Sequence, residues 1–176
     1  MTAPDQPIEL DTTMGPVRLR AEQADDEAFL FTVFRAHTMI ELAALPVDAA
    51  TREALVRMQF NAQTASYRAN YQQARFDIVE VEGQPIGRIV VDAGSGAEDG
   101  EPGCIVDFAL LPDRQRRGLG SAILAAVLQR FIPLRRKMRC KVLMHNEPSI
   151  RMCRRVGFRQ IDQETPFLQL EWRPDA

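Results

Sequence analysis

The chain has 176 residues, of which 45% are hydrophobic and 26% are charged, and its formal net charge is −2 at pH 7. This composition is typical of globular proteins, and the length predicts one domain that buries a substantial core. The slightly acidic charge argues against a dedicated nucleic-acid-binding protein.

The cysteines and the N-terminal residues bear on the compartment. Three cysteines occur without a C-x-x-C spacing, so neither a disulfide framework nor a zinc site is expected, and we expect no metal. Residues 1–11 are polar and acidic, unlike a signal peptide. No apolar run approaches the ~20 residues that a membrane span needs. These features predict a cytoplasmic protein in a reducing compartment, with no membrane partner.

The first predicted elements are a tail, a strand and two helices. Residues 1–15 contain two prolines and a glycine and predict a flexible tail, so the single domain is expected to span residues 16–176. Alternation over residues 17–20 predicts a short strand. Two helical patterns follow, over about 26–44 and 48–71, each preceded by an aspartate that can act as N-cap.

Both predicted helices carry candidate binding residues. His37 lies on the apolar face of the first helix, as a hydrogen-bonded histidine of the core or a groove, or as a catalytic base. The second helix has an apolar row predicted to pack in the core, namely Leu55, Met58, Ala62, Ala65 and Ala69. Its polar row indicates a solvated flank or the wall of a binding groove, and consists of Gln59, Gln63 and Tyr67.

The middle of the chain predicts a hairpin and then a buried strand. Residues 76–81 and 86–91 form the hairpin around a Glu-Gly turn. Residues 103–111 are apolar almost throughout, which is typical of a strand buried on both faces. Apolar residues recur at helical spacing from Leu119 to Phe131, so a helix is predicted to pack back on this strand.

The turn between this strand and this helix predicts an anion site. It places two glycines and three arginines at a helix N-terminus, where unpaired N–H groups and a partial positive charge favour an anion. A P-loop is excluded because Ser121-Ala122 stands where Lys and Ser or Thr are needed. A dinucleotide fingerprint is excluded because Ile123 occupies the position of its third small residue.

Residues 115–120 read Gln-Arg-Arg-Gly-Leu-Gly, and this segment resembles the acetyl-CoA signature of the GNAT superfamily of N-acyltransferases, Gln/Arg-x-x-Gly-x-Gly/Ala. Leu110 stands at the apolar strand position that precedes the signature. A second segment also matches, with Asn146, Ser149 and Gly157-Phe158 at the family's spacing. The family's tyrosine position within that segment holds Cys153.

The resemblance implies an α/β fold, with a mixed, strongly twisted sheet of about seven strands and helices on both faces. It implies that two parallel strands splay and that the pantetheine arm of acetyl-CoA enters between them, with the pyrophosphate on the turn. The residues implied to bind this cosubstrate are Phe108, Leu110, Gln115, Arg116, Arg117, Gly118, Leu119, Gly120, Ser121 and Asn146.

Three residues are candidates for the chemistry. The N–H of Phe108 is expected to polarise the thioester carbonyl. Cys153 either protonates the leaving thiolate in place of the family's tyrosine or is a small buried filler. Asp107 is the only carboxylate in the apolar strand, so it needs a partner or a raised pKa. It is either a structural carboxylate bound to backbone amides or to an arginine, or the group that accepts the amine's proton.

The predicted function is direct transfer of an acetyl group from acetyl-CoA to a primary amine. The alternative is a catalytically degenerate CoA-binding sensor or partner module, suggested by the missing tyrosine. A nucleic-acid binder built on the arginines of the turn is disfavoured by the acidic charge. The acceptor is a small-molecule or peptide amine that the sequence does not identify, and the sequence does not separate a monomer from a homodimer.

Overall fold

The structure, a computed structural model, describes residues 8–12, 14–94 and 101–174. These residues form eight strands and four helices. Their bounds are β1 Ile8–Thr12, β2 Gly15–Ala21, α1 Glu27–Glu41, α2 Ala49–Asn70, β3 Arg75–Val81, β4 Gln84–Asp92, β5 Gly103–Leu110, α3 Leu119–Gln129, β6 Met138–Leu143, α4 Glu147–Arg155, β7 Arg159–Glu164 and β8 Phe167–Trp172.

All eight strands belong to one sheet, in the order β1-β2-β3-β4-β5-β6-β8-β7. Neighbouring strands are antiparallel except β5 and β6, which are parallel and joined through α3. The predicted mixed α/β sheet is therefore confirmed, with one strand more than the seven expected.

The additional strand lies in the segment predicted as a flexible tail. Residues 8–12 form β1, which pairs with β2 so that Ile8 lies opposite Leu19. Ile8 is buried in the main core, whereas Glu9 and Asp11 are exposed, so β1 has the alternation of a half-buried strand. Only five residues carry this pattern, and the neighbouring prolines obscured it. Residues 1–7 and 13 of the predicted tail lie outside the described residues.

Helices cover both faces of the sheet, as the resemblance implied. Adjacent strand residues point to opposite faces, and on β3 Val79 joins the large core formed with α3 and α4, whereas Ile78 packs against α1 and α2. The second cluster is small and centred on Leu30, Phe60 and Ile78. The face under α1 and α2 is therefore less completely filled by apolar side chains.

The inward face of α2 differs from the predicted one. The expected apolar row is wrong, because Met58 is 58% exposed and Ala62, Ala65 and Ala69 are exposed as well. The helix instead buries Val56 and Phe60 and continues along the same face to Gln63 and Tyr67. Burying a phenyl ring removes far more apolar surface from water than burying an alanine methyl, so Phe60 determines the orientation.

The parallel strands β5 and β6 pair over a short distance only. Gly103 lies opposite Met138 and Cys104 opposite Arg139, and the pairing ends there. Residues 105–110 of β5 therefore border an opening, which we call the β5–β6 gap. β5 is also irregular opposite β4, where the register shifts between Val90 and Val91.

Within the described residues, no helix combines the length and the apolar character that crossing a membrane requires.

Candidate active site

The backbone of β5 presents hydrogen-bonding groups to the β5–β6 gap. The Leu111 N–H donates to the Ile86 carbonyl on the β4 side at 2.8 Å. Main-chain groups of successive strand residues point alternately to the two sides, so Phe108 and Leu110 direct theirs towards the gap. Because β6 does not pair with this part of β5, an extended ligand could do so.

One of these groups, the Leu110 carbonyl oxygen, already has two partners. The side-chain amide of Gln115 donates to it at 2.8 Å, and the Nε2 of His37 lies 3.0 Å away. A carbonyl oxygen accepts two hydrogen bonds, so this oxygen is saturated. Of the β5 groups that were predicted to bind the cofactor arm, the main chain of Phe108 and the N–H of Leu110 therefore remain available to it.

These contacts also indicate the roles of His37 and Gln115. His37 can bond the carbonyl only if Nε2 carries a proton, so this nitrogen is not a base in the present arrangement. The histidine thus takes the predicted role of a hydrogen-bonded residue of the groove. Gln115 ties the turn to the end of β5, and its own N–H donates to the Pro112 carbonyl at 3.3 Å. The row of unpaired amides therefore begins after Gln115.

The turn after β5 has the unusual backbone of an anion-binding loop. Arg116 and Gly118 have φ values of 62° and 78°, the left-handed region, with Arg117 between them. A Cβ on Gly118 would meet nothing within 4 Å, so its dihedral angle, and not space, explains the glycine. Turns that mix left- and right-handed residues turn successive N–H groups inward to form an anion-binding concavity. Arg116 and Arg117 are exposed and add positive charge there.

The N-terminus of α3 follows directly. Gly118 is the N-cap residue and offers no side-chain cap, and the first helical bond runs from the Ala122 N–H to the Gly118 carbonyl at 3.1 Å. The N–H groups of Leu119, Gly120 and Ser121 therefore have no acceptor within the helix. Together with the helix dipole, they make a site for an anion such as a phosphate.

Gly120 marks the closest approach of three elements. A Cβ at this position would lie 2.9 Å from the Met152 sulfur of α4 and 3.8 Å from side-chain carbons of Phe108 and Leu110. The glycine therefore lets α4 and β5 close around the start of α3. A longer side chain would displace Met152 or enter the site.

On the other side of the gap, Asn146 begins α4. Its Oδ1 accepts the Ser149 N–H at 3.2 Å, which is an ordinary N-cap bond. Its side-chain NH₂ bonds none of the described residues, so it remains available to a ligand. The structure thus gives Asn146 a capping role that the sequence analysis did not assign.

Asp107, whose side chain is partly buried, has a cationic partner. Arg88 of β4 donates from Nε to its Oδ2 at 2.6 Å and from Nη2 to the Gln63 Oε1 at 3.0 Å. The guanidinium carbon lies 5.5 Å from the centre of the Tyr67 ring. The structure therefore brings Asp107, Gln63 and Tyr67 together around Arg88. Gln59, one turn earlier on α2, is exposed.

Sequence reasoning missed Arg88. The available signal was a single charge in the apolar run of residues 86–91, which a buried strand tolerates only with a counter-charge. The predicted alternatives for Asp107 included an arginine of a neighbouring element, and Arg88 is that arginine.

The Tyr67 phenol is neutral near pH 7. Burial raises its pKa well above the ordinary value, and the Asp107 carboxylate raises it further, while Arg88 acts in the opposite direction. Tyr67 is therefore a hydrogen-bond donor and not a base. It forms the wall of the site on the α2 side.

Cys153 lies in the main core. It is 4% exposed, and its sulfur is 3.9 Å from that of Cys140 on β6. The contact with Cys153, together with burial, raises the pKa of the Cys140 thiol. This environment favours the interpretation of Cys153 as a packing residue, and its assignment as a proton donor stays a prediction.

Comparisons with known proteins identify the family. The sequence model of the Acetyltransferase (GNAT) family matches residues 41–158, which include β5, the turn, α3 and α4. Among curated proteins, none matches this chain.

Solved structures show the same fold. The PaiA N-acetyltransferase from Thermoplasma acidophilum, in complex with coenzyme A, has a TM-score of 0.66 at 15% identity, over 89% of this chain and 98% of that one. Mycobacterium smegmatis RimJ, in complex with CoA-disulfide, has a TM-score of 0.69 at 18% identity, over 98% of this chain and 88% of that one. The ribosomal-protein-S5-alanine acetyltransferase from Vibrio fischeri has a TM-score of 0.61 at 13% identity, over 96% of this chain and 98% of that one.

At these identities the structural likeness shows the fold alone. The family match covers well over half of the chain and includes the turn and both segments noted in the sequence. The chain therefore belongs to the GNAT acetyltransferase family.

Proposed function

We propose that the protein transfers an acetyl group from acetyl-CoA directly to a primary amine. One observation carries the proposal: the pairing of β5 with β6 ends at Cys104, and the opening lies beside the uncapped N-terminus of α3. An extended arm with a pyrophosphate fits strand-like backbone groups followed by a cluster of N–H donors. Membership of an acetyltransferase family supports an acyltransferase.

The residues available for acetyl-CoA follow from this arrangement. The main chain of Phe108 pairs with the pantetheine arm, and the amide of Asn146 lies near it. The pyrophosphate binds the N–H groups of residues 116–121, and Arg116 and Arg117 add charge-assisted bonds. Acetyl-CoA supplies the acetyl group as a thioester.

The transfer forms a bond from the amine nitrogen to the thioester carbonyl carbon and breaks the bond from that carbon to sulfur. The Phe108 N–H stabilises the oxygen of the intermediate, a role worth about 3 kcal/mol in other enzymes. An alkyl amine is mostly protonated at pH 7 and must lose a proton before it attacks. Asp107 accepts that proton directly or through water. The thiolate leaves and is protonated by water, or by Cys153, and the second proton that the nitrogen loses on becoming an amide returns through water to the group that gave this proton.

A second function is favoured by one observation. Cys153 stands where relatives have a tyrosine, and its thiol faces Cys140 in the core. A family member without the usual acid could bind CoA as a sensor or partner module and transfer nothing.

Two measurements separate these functions. Thermal melting with CoA and with acetyl-CoA tests the binding, because a ligand that binds only the folded state raises the melting temperature. Free thiol released from acetyl-CoA, with and without a panel of amines, tests the transfer. Amine-dependent release supports the transferase. A thermal shift with no release for any amine supports the binding module, and the absence of both a shift and a release overturns both functions.

A further inference from the structure

The Arg88 side chain has more hydrogen-bond donors than the protein satisfies. Its side chain is only 8% exposed. A guanidinium has five N–H donors, and here one goes to Asp107 and one to Gln63. The other three have no acceptor among the described residues. No Arg88 nitrogen is among the described side-chain atoms that are buried without a partner, so these donors face solvent, where water or the anionic group of a ligand can accept them.

Asp107 shows the complementary feature. Its Oδ2 accepts from Arg88, whereas its Oδ1 receives no donor from the part of the chain that the structure describes. The side chain is 23% exposed, so this oxygen is open to a ligand. It belongs to the residue before Phe108, whose main chain borders the β5–β6 gap. The open acceptor therefore lies beside the proposed position of the thioester.

The guanidinium is also fixed in orientation. Gln63 of α2 holds Nη2 through its Oε1, and the Tyr67 ring lies 5.5 Å from the guanidinium carbon. A fork held from three sides has little conformational freedom left to lose when it binds a carboxylate.

The charges of the pair specify what it can recognise. Arg88 and Asp107 neutralise one another, so the pair does not attract a polycation. A ligand whose ammonium and carboxylate are attached to the same carbon matches both open groups, because its carboxylate meets the guanidinium fork and its amine meets Oδ1. We propose that the acceptor is a free α-amino acid, bound as the zwitterion through Arg88 and Asp107. This inference rests on the proposed acetyl transfer and names the acceptor of that same site.

A matched pair of acceptors tests the proposal. Each proteinogenic amino acid is compared with its own carboxamide, which keeps the skeleton and the amine and lacks only the carboxylate. Losing the carboxylate lowers the pKa of the amine, so the carboxamide supplies more neutral amine at pH 7. A preference for the amino acid thus opposes intrinsic reactivity and reports recognition. We expect kcat/KM for the best amino acid to exceed that of its carboxamide by at least about tenfold, mainly through KM.

Arg88→Lys is the informative variant, because it keeps a positive charge beside Asp107 but removes the fork. We expect the ratio of kcat/KM for the amino acid to that for its carboxamide to fall to one or below, while the thermal shift with CoA is retained. Arg88→Gln serves as a second variant with the same expected loss of preference. Arg18→Gln is the control, since Arg18 forms an exposed pair with Glu9 on the distant strands β1 and β2. It should change neither quantity.

The outcomes separate this inference from the transfer itself. Equal or better use of the carboxamide, or an unchanged preference in Arg88→Lys, overturns the amino-acid acceptor and leaves the transferase standing. If no acceptor is acetylated, calorimetric titration of the protein–CoA complex with the same pairs decides. Binding of the amino acid but not the carboxamide, lost in Arg88→Lys, supports the inference without the transfer, and no binding overturns it.

Discussion

The helices α2 and α3 pack on opposite faces of one sheet but use their inward faces differently. Every residue that α3 buries is apolar, and the helix contributes to the site only through its N-terminus; the buried residues are Leu119, Ile123, Leu124, Val127 and Leu128. The inward face of α2 begins with Val56 and Phe60 and ends with Gln63 and Tyr67. One face thus serves the core in its first half and the site in its second.

The difference shows how the two halves of the site are built. On the α3 side, we propose that backbone N–H groups bind the pyrophosphate. This use of the backbone requires glycines at two positions of one short segment. On the α2 side, side chains from α2, β4 and β5 meet, although they lie far apart in the sequence. The cofactor half is therefore a local motif, and the acceptor half is a product of the fold.

The apolar half of α2 can be tested through Phe60. Phe60 is 3% exposed and packs on Phe31 and Phe34 of α1, with ring centroids 5.4 and 5.6 Å away. Phe60→Ala should lower the free energy of unfolding by about 3–5 kcal/mol, because it leaves a cavity between α1 and α2. Denaturant unfolding measures this change.

Met58→Ala on the same helix is the control. Met58 is largely exposed, so its loss should change stability by no more than about 0.5 kcal/mol. If both variants were equally destabilised, the orientation of α2 described above would be incorrect.

The next effect concerns the polar half. Asp107→Asn removes the proposed acceptor of the amine's proton and should lower kcat/KM for the amine by about 10²-fold or more, with the CoA thermal shift intact. The variant must wait for amine that has lost its proton in solution. Its rate should therefore rise more steeply with pH than that of the wild type.

Asp162→Asn on the exposed strand β7 controls for a change of net charge and should behave as the wild type. A parallel loss of CoA binding and activity in Asp107→Asn, or failure to fold, would make Asp107 a structural partner of Arg88 only.

The N-terminus of α3 can be tested by comparing an aspartate with an asparagine of the same size at position 118. Gly118→Asp should abolish the CoA thermal shift, because a carboxylate would repel the pyrophosphate in the turn. Gly118→Asn has the same shape and tolerates the left-handed backbone better than most residues, so it should retain part of the shift. Gly120→Asp should also abolish it, since the side chain would collide with Met152. Shifts unchanged in both aspartate variants would refute the cofactor assignment.

The smallest effect is expected at Cys153. Cys153→Ala removes a buried thiol from the core and should reduce turnover tenfold or less, below the ~10²–10⁴ of a true general acid. Steady-state kinetics measures this change, and intact-protein mass after incubation with acetyl-CoA provides a second test. A larger loss would give Cys153 a catalytic role, and an acetyl adduct on it would overturn direct transfer.

Much of the fold could be predicted from the sequence because its signals are local. The alternation in the β3–β4 hairpin, the apolar run of β5 and the periodicity of α3 each lie within one window of sequence. The Asp48 cap of α2 was predicted as well, and its side chain accepts the Thr51 N–H at 2.8 Å. Such features need no knowledge of the neighbouring elements.

The remaining features depend on tertiary contacts. The alanines of α2 have the spacing of a core face, but an aromatic cluster shared with α1 turned the helix away from them. Arg88 and Asp107 are 19 residues apart, and only the register of β4 and β5 brings them together. The saturation of the Leu110 carbonyl depends on His37, which is 73 residues away. Patterns within one segment cannot reveal these contacts.

The Leu110 carbonyl oxygen is a single atom that contacts both halves of the site. A residue of α1 binds it from the acceptor side, and a residue of the glycine turn binds it from the cofactor side. If either His37 or Gln115 moves, the strength of the hydrogen bond between the Leu110 carbonyl and the other residue changes. Such coupling between two ligands is reciprocal. Acceptor and acetyl-CoA should therefore each change the other's equilibrium affinity by the same factor, even though they share no binding residue.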